Sequence, residues 1–377
     1  MDALEYTRQL VAFDSVSRVS NVPVTDDVES VLGRLGFEIE RIEYDDENGV
    51  RKANLIAKKG PGTGGMAYFA HTDVVPADTW ALSGHGPFEP TVQDGRLYGR
   101  GSCDMKGSLA CMLAAVERIE SKELTQPVYI TSTADEEIGY GGATYVAEQS
   151  ELFREMVDHE TRGIVGEPTM LDIVHAHKGV VGLRATSRGR AAHSSTGEGV
   201  NANIAMIPYL AEMKAIHDEV NADPAWRDER FQPPTLTWNI GINDLTRASN
   251  ITPPQSICTV YFRPMPGMNP DPLIERSRRK AEECGIEFVV VVRGNPINAD
   301  PDSPFVRECL QIAGQTKSRT VAYGTDGGKL NALRRMIVCG PGDIRQAHTD
   351  DEWIALDQLQ RGTDLYERMI RRWCCLS

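Results

Sequence analysis

Short apolar runs alternate with amphipathic stretches along the first half of the chain. Runs typical of buried strands occupy residues 54–58, 66–70, 128–133 and 163–165. The stretch 106–120 carries apolar residues at helical spacing, namely Leu109, Leu113, Val116 and Ile119. Residues 25–35 predict a further helix, and residues 1–20 predict an amphipathic helix that lacks the features of a secretory leader. Helices that alternate with strands in this way predict an α/β domain.

The pattern changes at Gly179. Alternating strands are predicted over residues 180–187, 235–241, 257–263 and 286–292, with a long helix over residues 203–220. The α/β pattern then resumes at residues 301–314. A chain of 377 residues exceeds the size at which one core usually stops growing. We therefore predict two domains: a discontinuous one of residues 1–178 and 297–377, and an α+β domain of residues 179–296 inserted into it.

Composition narrows the classes of partner. The chain has 54 acidic and 40 basic residues, a net charge of −14, which disfavours binding to nucleic acid or to an anionic membrane surface. No apolar segment approaches the roughly 18 residues of a membrane span. The eight cysteines form no CxxC pair, which favours reduced thiols and a cytoplasmic location.

Candidate functional residues follow the predicted strands directly. His71 follows the run 66–70, the pair Glu136-Glu137 comes after residues 128–133, and Glu167 follows residues 163–165. Open α/β sheets place their sites at the carboxyl ends of strands. We therefore expect these side chains to lie close together.

The types of these residues indicate a metal site. Five candidate ligands are His71, Asp104, Glu137, Glu167 and His348. Imidazole and carboxylate are zinc ligands, and two ions about 3.5–4 Å apart can share a bridging ligand and activate water for hydrolysis. Five side chains supply one bridging carboxylate, plus one histidine and one carboxylate for each ion. Taken singly, each is equally typical of a helix cap, a turn or a surface loop, and Cys103 is a further possible ligand.

Other residues next to these ligands could assist catalysis. Asp73 could accept the N–H of His71 that metal does not use. Glu136 could remain free as a general base while Glu137 binds metal, although acidic pairs are common on solvated surfaces. His193 could stabilise an oxyanion and Arg263 could bind a carboxylate, and a purely structural role fits each of them as well.

The order of these residues resembles that of a known family. His71-x-Asp73, Asp104, Glu136-Glu137, Glu167 and His348 resemble the aminoacylase, acetylornithine deacetylase and glutamate carboxypeptidase family of di-zinc amidohydrolases, over nearly the whole chain. The resemblance implies a catalytic domain with a central, mostly parallel sheet and an inserted α+β lid that forms a homodimer contact. It also implies a cis peptide bond after Asp104.

The resemblance also implies a role for each residue. His71 and Glu167 would bind one zinc, Glu137 and His348 the other, and Asp104 would bridge them. Glu136 would be the general base that acts on the metal-bridged water, and Asp73 the partner of His71. His193 would steady the oxyanion at the neighbouring subunit's site. The residues that would hold the substrate's α-carboxylate are Arg263, Asn250, Thr325 and Gly327.

Several motifs look most like the acetylornithine deacetylase branch, including Cys103-Asp-Met-Lys-Gly107 and Gly166-Glu-Pro-Thr169. One departs from it, because Thr325-Asp-Gly-Gly328 stands where many members have Thr-Glu-Ala. The predicted function is metal-dependent cleavage of an N-acyl amino acid, with N-acetyl-L-ornithine as the leading substrate. The predicted cofactors are two divalent ions, zinc or cobalt in its place. Alternative substrates are succinyl-diaminopimelate, another N-acyl amino acid, a dipeptide or a C-terminal glutamate. A catalytically silent metal-binding protein is a further alternative, which the presence of Glu136 disfavours.

Overall fold

The computed structural model describes residues 1–246 and 248–376, which form two compact units. The first comprises Met1–Ala176, Ile297–Thr320 and the chain from Thr325 onward, and the second comprises His177–Pro296 and Val321–Gly324. The predicted boundaries at residues 178/179 and 296/297 lie close to these. The short segment Val321–Gly324 belongs to the second unit, whereas the sequence pattern placed it in the first.

The first unit contains most of the helices and strands. Its helices are α1 (Ala3–Val11), α2 (Val22–Arg34), α3 (Lys106–Glu117), α4 (Gly141–Gln149), α5 (Glu151–Asp158), α8 (Pro304–Ala313) and α9 (Leu356–Cys374). Its strands are β1 (Glu38–Asp45), β2 (Arg51–Lys59), β3 (Met66–His71), β4 (Thr91–Gln93), β5 (Arg96–Tyr98), β6 (Val128–Thr133), β7 (Arg162–Val165), β8 (Val174–His177), β13 (Ile297–Asn298), β14 (Arg319–Val321), β15 (Met336–Val338) and β16 (Trp353–Ala355). β8 and β14 each end one residue into the second unit.

A mixed sheet forms the centre of this unit, with the order β1-β2-β6-β3-β7-β15-β8-β13 and β14 paired to β8. Its middle is parallel, because β3 pairs in parallel with both β6 and β7, and β15 pairs in parallel with β7. β3 and β6 are buried along their whole length. Strands covered on both faces lack alternation, which is why the sequence shows continuous apolar runs there. The predicted α/β fold with a central, mostly parallel sheet is confirmed.

Helix α3 lies in the core of this unit. Its residues from Lys106 to Val116 are all buried, and it packs against α1 and α9. A helix that is apolar on nearly every face is expected when other helices cover it. It ends at Glu117, earlier than the predicted residue 120.

The N-terminal segment is helical only as far as Val11, so the predicted helix over residues 1–20 is wrong in its second half. Beyond the helix, the backbone bridges Val16 to Val74, and the Ser15 hydroxyl donates to the carbonyl oxygen of Thr72 (2.6 Å). The Ser17 hydroxyl donates to Asp73 Oδ2 (2.7 Å). These long-range bonds compete with continued helix, and serine hydroxyls favour such alternatives.

The second unit is an α+β fold. Its strands are β9 (Val180–Arg188), β10 (Asn239–Asn243), β11 (Gln255–Phe262) and β12 (Glu287–Gly294), and its helices are α6 (Ala202–Ala222) and α7 (Asp271–Glu283). The sheet order is β10-β11-β9-β12, and all its pairings are antiparallel. The strand predicted over residues 235–241 begins later, at Asn239. Thr237 has a φ of +55°, which interrupts the extended backbone before that point.

The eight cysteines are all free thiols in the described chain, and six of them are buried. None of the helices at positions 1–246 or 248–376 is both long and apolar enough to cross a membrane. The cytoplasmic location stays a prediction.

Candidate metal centre

The three candidate segments that follow strands meet at one edge of the central sheet. β6, β3 and β7 are neighbours and run in parallel, so their carboxyl ends lie side by side. His71 is the last residue of β3, and Glu136 and Glu137 follow β6 after a short turn. Glu167 follows β7. Parallel pairing therefore brings together residues that are far apart in sequence.

Two loops supply the remaining candidate ligands. Asp104 lies in the turn before α3, and the Asp104–Met105 peptide is cis, as the family resemblance implied. His348 follows the short 3-10 helix Ile344–Gln346 and has a φ of +64°. No regular pattern marks either loop, so only the fold shows where they lie.

The candidate ligand atoms form two groups that share Asp104: His71 with Asp104 and Glu167, and His348 with Asp104 and Glu137. Within each group they lie within 4.8 Å of one another. In the first, His71 Nε2 is 3.2 Å from Asp104 Oδ1 and 3.7 Å from Glu167 Oε1. In the second, His348 Nε2 is 3.4 Å from Asp104 Oδ2 and 3.1 Å from Glu137 Oε2. The two Asp104 oxygens thus face different histidines, as a bridging carboxylate would require.

The contacts of Asp73 differ from the predicted ones. His71 Nδ1 lies 2.9 Å from the backbone carbonyl oxygen of Asp73 and 3.6 Å from its Oδ1. The Asp73 carboxylate instead accepts the backbone N–H of Glu136 at Oδ1 (3.1 Å) and that of Glu137 at Oδ2 (3.3 Å). The carbonyl oxygen fixes the ring of His71 with Nε2 toward Asp104. The Asp73 carboxylate holds the turn that carries the acidic pair.

Glu136 lies against the first group. One of its carboxylate oxygens is within 4.8 Å of ligand atoms of His71 and Glu137. Burial raises the pKa of Glu136 well above its ordinary value; His71 lowers it, and Glu167 and Glu137 raise it further.

Several acidic groups converge here, and their charges shift one another's pKa values as well as those of the two histidines. Burial raises the pKa values of Glu167 and Glu137, and the Asp104 carboxylate raises both further. Burial lowers the pKa of His71, but Asp104 and the other carboxylates reverse this and hold it well above its ordinary value. Hydrogen bonds to Asp104 and Glu137 raise the pKa of His348 to about 10. In the metal-free protein, protons therefore take the place of positive charge, and the donor set fits divalent cations.

These pKa shifts predict opposite pH responses with and without metal. A group whose pKa is higher in the folded state contributes stability below its unfolded pKa and loses it as pH rises toward the folded value. In the metal-free protein, the stabilisation from the raised pKa values of Glu137 and Glu167 is lost as pH rises above about 4.5. The stabilisation from those of His71 and His348 is lost as pH rises above about 6.5. Metal binding strengthens over the same interval because the ligands must be deprotonated.

We therefore expect the difference in unfolding midpoint between metal-loaded and metal-free protein to widen from pH 5 to pH 8. Urea unfolding after chelator treatment, with and without added zinc, measures this difference. A difference that stays constant or narrows with rising pH would contradict the assignment.

Asp326 is a buried carboxylate that the sequence analysis did not single out. Its Oδ2 accepts a hydrogen bond from the hydroxyl of Thr133 at the end of β6 (2.5 Å), and its Oδ1 is buried with no hydrogen-bond partner in residues 1–246 and 248–376. Burial raises its pKa to about 7. The glycines around it drew attention to the loop, but no local pattern distinguished Asp326 from an ordinary capping residue.

Thr325 and Gly327 flank Asp326 and have local structural contacts. The Thr325 hydroxyl accepts the backbone N–H of Gly327 (3.1 Å). A Cβ at position 327 would lie 2.3 Å from Ile297 Cδ1 and 2.9 Å from Met336 Sδ, so a side chain there would have to displace the ends of both neighbours. Their predicted role in binding substrate stays a prediction.

The other predicted site residues lie in the second unit. His193 is exposed, and its Nδ1 contacts the hydroxyl of Ser195 (2.7 Å) and its backbone N–H (3.3 Å). Asn250 lies beside it, because the Ser194 N–H donates to the Asn250 carbonyl oxygen (2.9 Å). Arg263 follows β11, and its Nη1 is buried without a hydrogen-bond partner among the described residues.

Comparison with known proteins agrees with this geometry. Residues 67–372 match the peptidase family M20/M25/M40. The chain is 34% identical to the acetylornithine deacetylase of Myxococcus xanthus, over 97% of this chain and 96% of that protein. It is 33% identical to the acetylornithine deacetylase of Proteus mirabilis strain HI4320, over 98% of this chain and 96% of that one.

Solved structures share the fold. The M20 family metallo-carboxypeptidase Sso-CP2 from Sulfolobus solfataricus superposes with a TM-score of 0.79, at 17% identity over 99% of each chain. Human carnosine dipeptidase 1 gives a TM-score of 0.73 at 17% identity, over 98% of this chain and 96% of that one. The match along most of the chain and the full-length relatives establish that this protein belongs to the peptidase family M20/M25/M40 and is a metallohydrolase of that family.

Proposed function

We propose that this protein is a two-metal amidohydrolase that cleaves the N-acyl amide of an amino acid, with N-acetyl-L-ornithine as the leading substrate. The observation that carries the proposal is the pair of ligand groups that share Asp104, with Glu136 beside them. Similarity to acetylornithine deacetylases over nearly the full length supports the choice of substrate.

His71 and Glu167 would hold one ion, and Glu137 and His348 the other, with Asp104 common to both. When bound, two zinc ions, or cobalt in their place, supply Lewis-acid polarisation of a carbonyl and lower the pKa of water. The imidazole and carboxylate donors suit both metals.

Glu136 is the proposed general base. Its backbone N–H is held by Asp73, and its carboxylate stays outside the two groups that share Asp104. It would take a proton from the attacking water and deliver it to the departing amine nitrogen. This delivery matters because an amide expels its nitrogen readily only when the nitrogen is protonated.

His193 is the proposed oxyanion donor. The backbone N–H of Ser195 donates to its Nδ1 (3.3 Å), an arrangement that suits the ring tautomer with its proton on Nε2. An exposed Nε2–H can donate to the oxygen of a tetrahedral intermediate. By analogy with the family, the site that it serves belongs to the second subunit of a dimer.

The α-carboxylate of the substrate is the proposed ligand of four residues, Arg263, Asn250, Thr325 and Gly327. The strongest support comes from Arg263, whose buried Nη1 has no hydrogen-bond acceptor in the part of the chain that the structure describes. A guanidinium and a carboxylate can form two parallel hydrogen bonds. Support for the other three rests on the family resemblance.

A homodimer through the second unit is the proposed assembly. Exposed apolar side chains on and near α6 and β10 are Ile204, Ile207, Ile242 and Leu245. β10 is also an edge strand of its sheet. An apolar surface beside an open strand edge is typical of an interface, and a second copy of the chain fits the proposed role of His193.

We expect Ile207→Asp to convert the dimer into a monomer, because burying an unpaired charge in the interface is unfavourable. Val289→Asp is the matched control, since Val289 is an exposed apolar residue on β12 at the opposite edge of the same sheet. Sedimentation velocity measures the mass of each. A dimer that persists in Ile207→Asp would place the interface elsewhere.

The function is tested by release of free amine from a substrate panel, before and after chelation and with zinc or cobalt restored. The panel contains N-acetyl-L-ornithine, succinyl-diaminopimelate, other N-acyl amino acids, dipeptides and compounds with a C-terminal glutamate. We expect turnover of N-acetyl-L-ornithine that chelation removes and metal restores. Faster turnover of another compound would reassign the substrate, and no turnover of any by metal-loaded protein would overturn the proposal.

A further inference from the structure

Glu352 is a buried carboxylate with four hydrogen-bond donors around it. Its Oε1 accepts the backbone N–H groups of Cys103 and Asp104, each at 2.9 Å. Its Oε2 accepts the backbone N–H of Gly101 (2.9 Å) and Nη1 of Arg100 (2.8 Å). The Glu352 side chain is only 1% exposed. Such a set of charge-assisted bonds offsets the cost of burying the charge.

These bonds determine the conformation of the loop that carries Asp104. The loop is too irregular to pair its own backbone N–H groups within a helix or strand, and Gly101 has a φ of +85°. An unpaired buried N–H would be unfavourable. The Glu352 carboxylate accepts three of these backbone N–H groups. The backbone carbonyl oxygen of Glu352 accepts a fourth, that of Gly99 (3.0 Å).

Glu352 also links the Asp104 loop to two other segments of the chain. It lies four residues after His348 in the chain. Through Arg100, whose Nη2 donates to the carbonyl oxygen of Pro76 (3.3 Å), it reaches the segment that follows His71. One carboxylate thus joins the loop that carries Asp104 to the chain segments that follow His348 and His71.

We propose that Glu352 is a positioning residue, which holds the Asp104 carboxylate in the orientation that lets it face both histidines. This inference rests on the proposed function, because it takes Asp104 as the ligand shared by two ions. The hydrogen bonds of the Glu352 side chain go to Arg100 and to the backbone N–H groups of Gly101, Cys103 and Asp104. Its effect on the centre passes through the backbone of residues 101–104.

Glu352→Gln is the informative substitution. It keeps the size of the side chain but replaces one acceptor oxygen with an NH2 group, which then faces either two backbone N–H groups or Gly101 and Arg100. Because the new NH2 group and its neighbours are all hydrogen-bond donors, they repel each other and the loop of residues 101–104 is displaced. Glu352→Asp keeps both acceptor oxygens and the charge, one methylene further back.

The experiment titrates metal-free protein with Co²⁺, in competition with a chromophoric chelator, and records the visible spectrum of the bound ions. We expect Glu352→Gln to lower Co²⁺ affinity about 10–100-fold, as outer-sphere changes do at metal sites. We also expect a changed spectrum, because the spectrum reports the coordination geometry. Glu352→Asp should keep part of the wild-type Co²⁺ affinity and part of the wild-type spectrum.

Glu117→Gln is the control for a general loss of stability. Glu117 accepts Tyr6 Oη and the N-terminal ammonium, in the same unit as the centre. The control should lower the unfolding midpoint and leave Co²⁺ affinity and spectrum unchanged.

The outcomes are distinguishable. Wild-type protein that binds no Co²⁺ tightly would overturn the proposed function. Wild-type protein that binds it normally, with Glu352→Gln equal in affinity and spectrum, would overturn only the role of Glu352. If Glu352→Gln does not fold, Arg100→Met tests the same contact: weaker binding with an altered spectrum supports the role, and unaltered binding overturns it.

Discussion

Glu136→Gln is expected to lower kcat about 10²–10⁴-fold, the usual contribution of a general base, while the protein retains its bound metal. The amide of glutamine cannot accept the proton from water or carry it to the leaving nitrogen. The Asp73 bond to the backbone of residue 136 does not involve the side chain, so the turn should keep its shape. Amine release and metal content, measured on the same preparation, provide the test.

Glu137→Gln is the matched comparison, because it makes the same chemical change one residue away. Glu137 lies 3.1 Å from His348 and belongs to a ligand group. We expect this variant to lose metal as well as activity. If Glu136→Gln keeps full activity, or if it loses metal as Glu137→Gln does, then the general base has been assigned to the wrong residue.

His193→Ala is expected to lower kcat about 10²–10³-fold, the effect of removing one oxyanion donor. Substrate affinity should change less, because the donor acts on charge that develops in the transition state. His217→Ala is the control: His217 is an exposed histidine on α6 in the same unit, outside the proposed site. Initial rates over a range of substrate concentrations separate kcat from KM.

Mixing two inactive variants tests whether His193 serves the site of the other subunit. In a hybrid dimer of Glu136→Gln and His193→Ala, action across the dimer leaves one site with both native side chains. Random subunit exchange should then restore activity on the order of a quarter of the wild-type value, since half the dimers are hybrids with one intact site of two. No recovery, with hybrids demonstrated by mass, would place His193 at its own subunit's site.

Much of this site could be predicted before the fold was known. His71, Glu137 and Glu167 each follow a strand whose apolar run is continuous, and the carboxyl ends of parallel strands are where such sheets bind ligands. The predicted ends of these strands match or lie close to the observed ones because strands buried on both faces have a strong sequence signal. Asp104 and His348 were candidates from residue type alone, because their loops have no periodicity, and the family resemblance then assigned their roles.

Contacts across the chain were not predictable in this way. The sequence suggested that the Asp73 carboxylate bonds to His71. In the structure, His71 contacts the backbone carbonyl oxygen of Asp73 instead, and the Asp73 carboxylate accepts the backbone N–H of Glu136. Residues 15–17 looked helical because amphipathic spacing is a local property. Their hydroxyls and backbone instead bond to residues 72–74, a pairing that depends on the path of the chain.

The sequence by itself determined the α/β order of elements, the strands that end at the site and the kinds of side chain that could bind metal, because hydrophobic periodicity and residue type are local properties. Only the tertiary structure decided which oxygen of Asp104 faces which histidine, and that Asp326 and Glu352 are buried beside or behind the two ligand groups. The physical reason is that the acceptor capacity of a carboxylate looks the same at every position in a sequence. Which donors satisfy it depends on loops brought together by folding, as Glu352 shows with donors some 250 residues away.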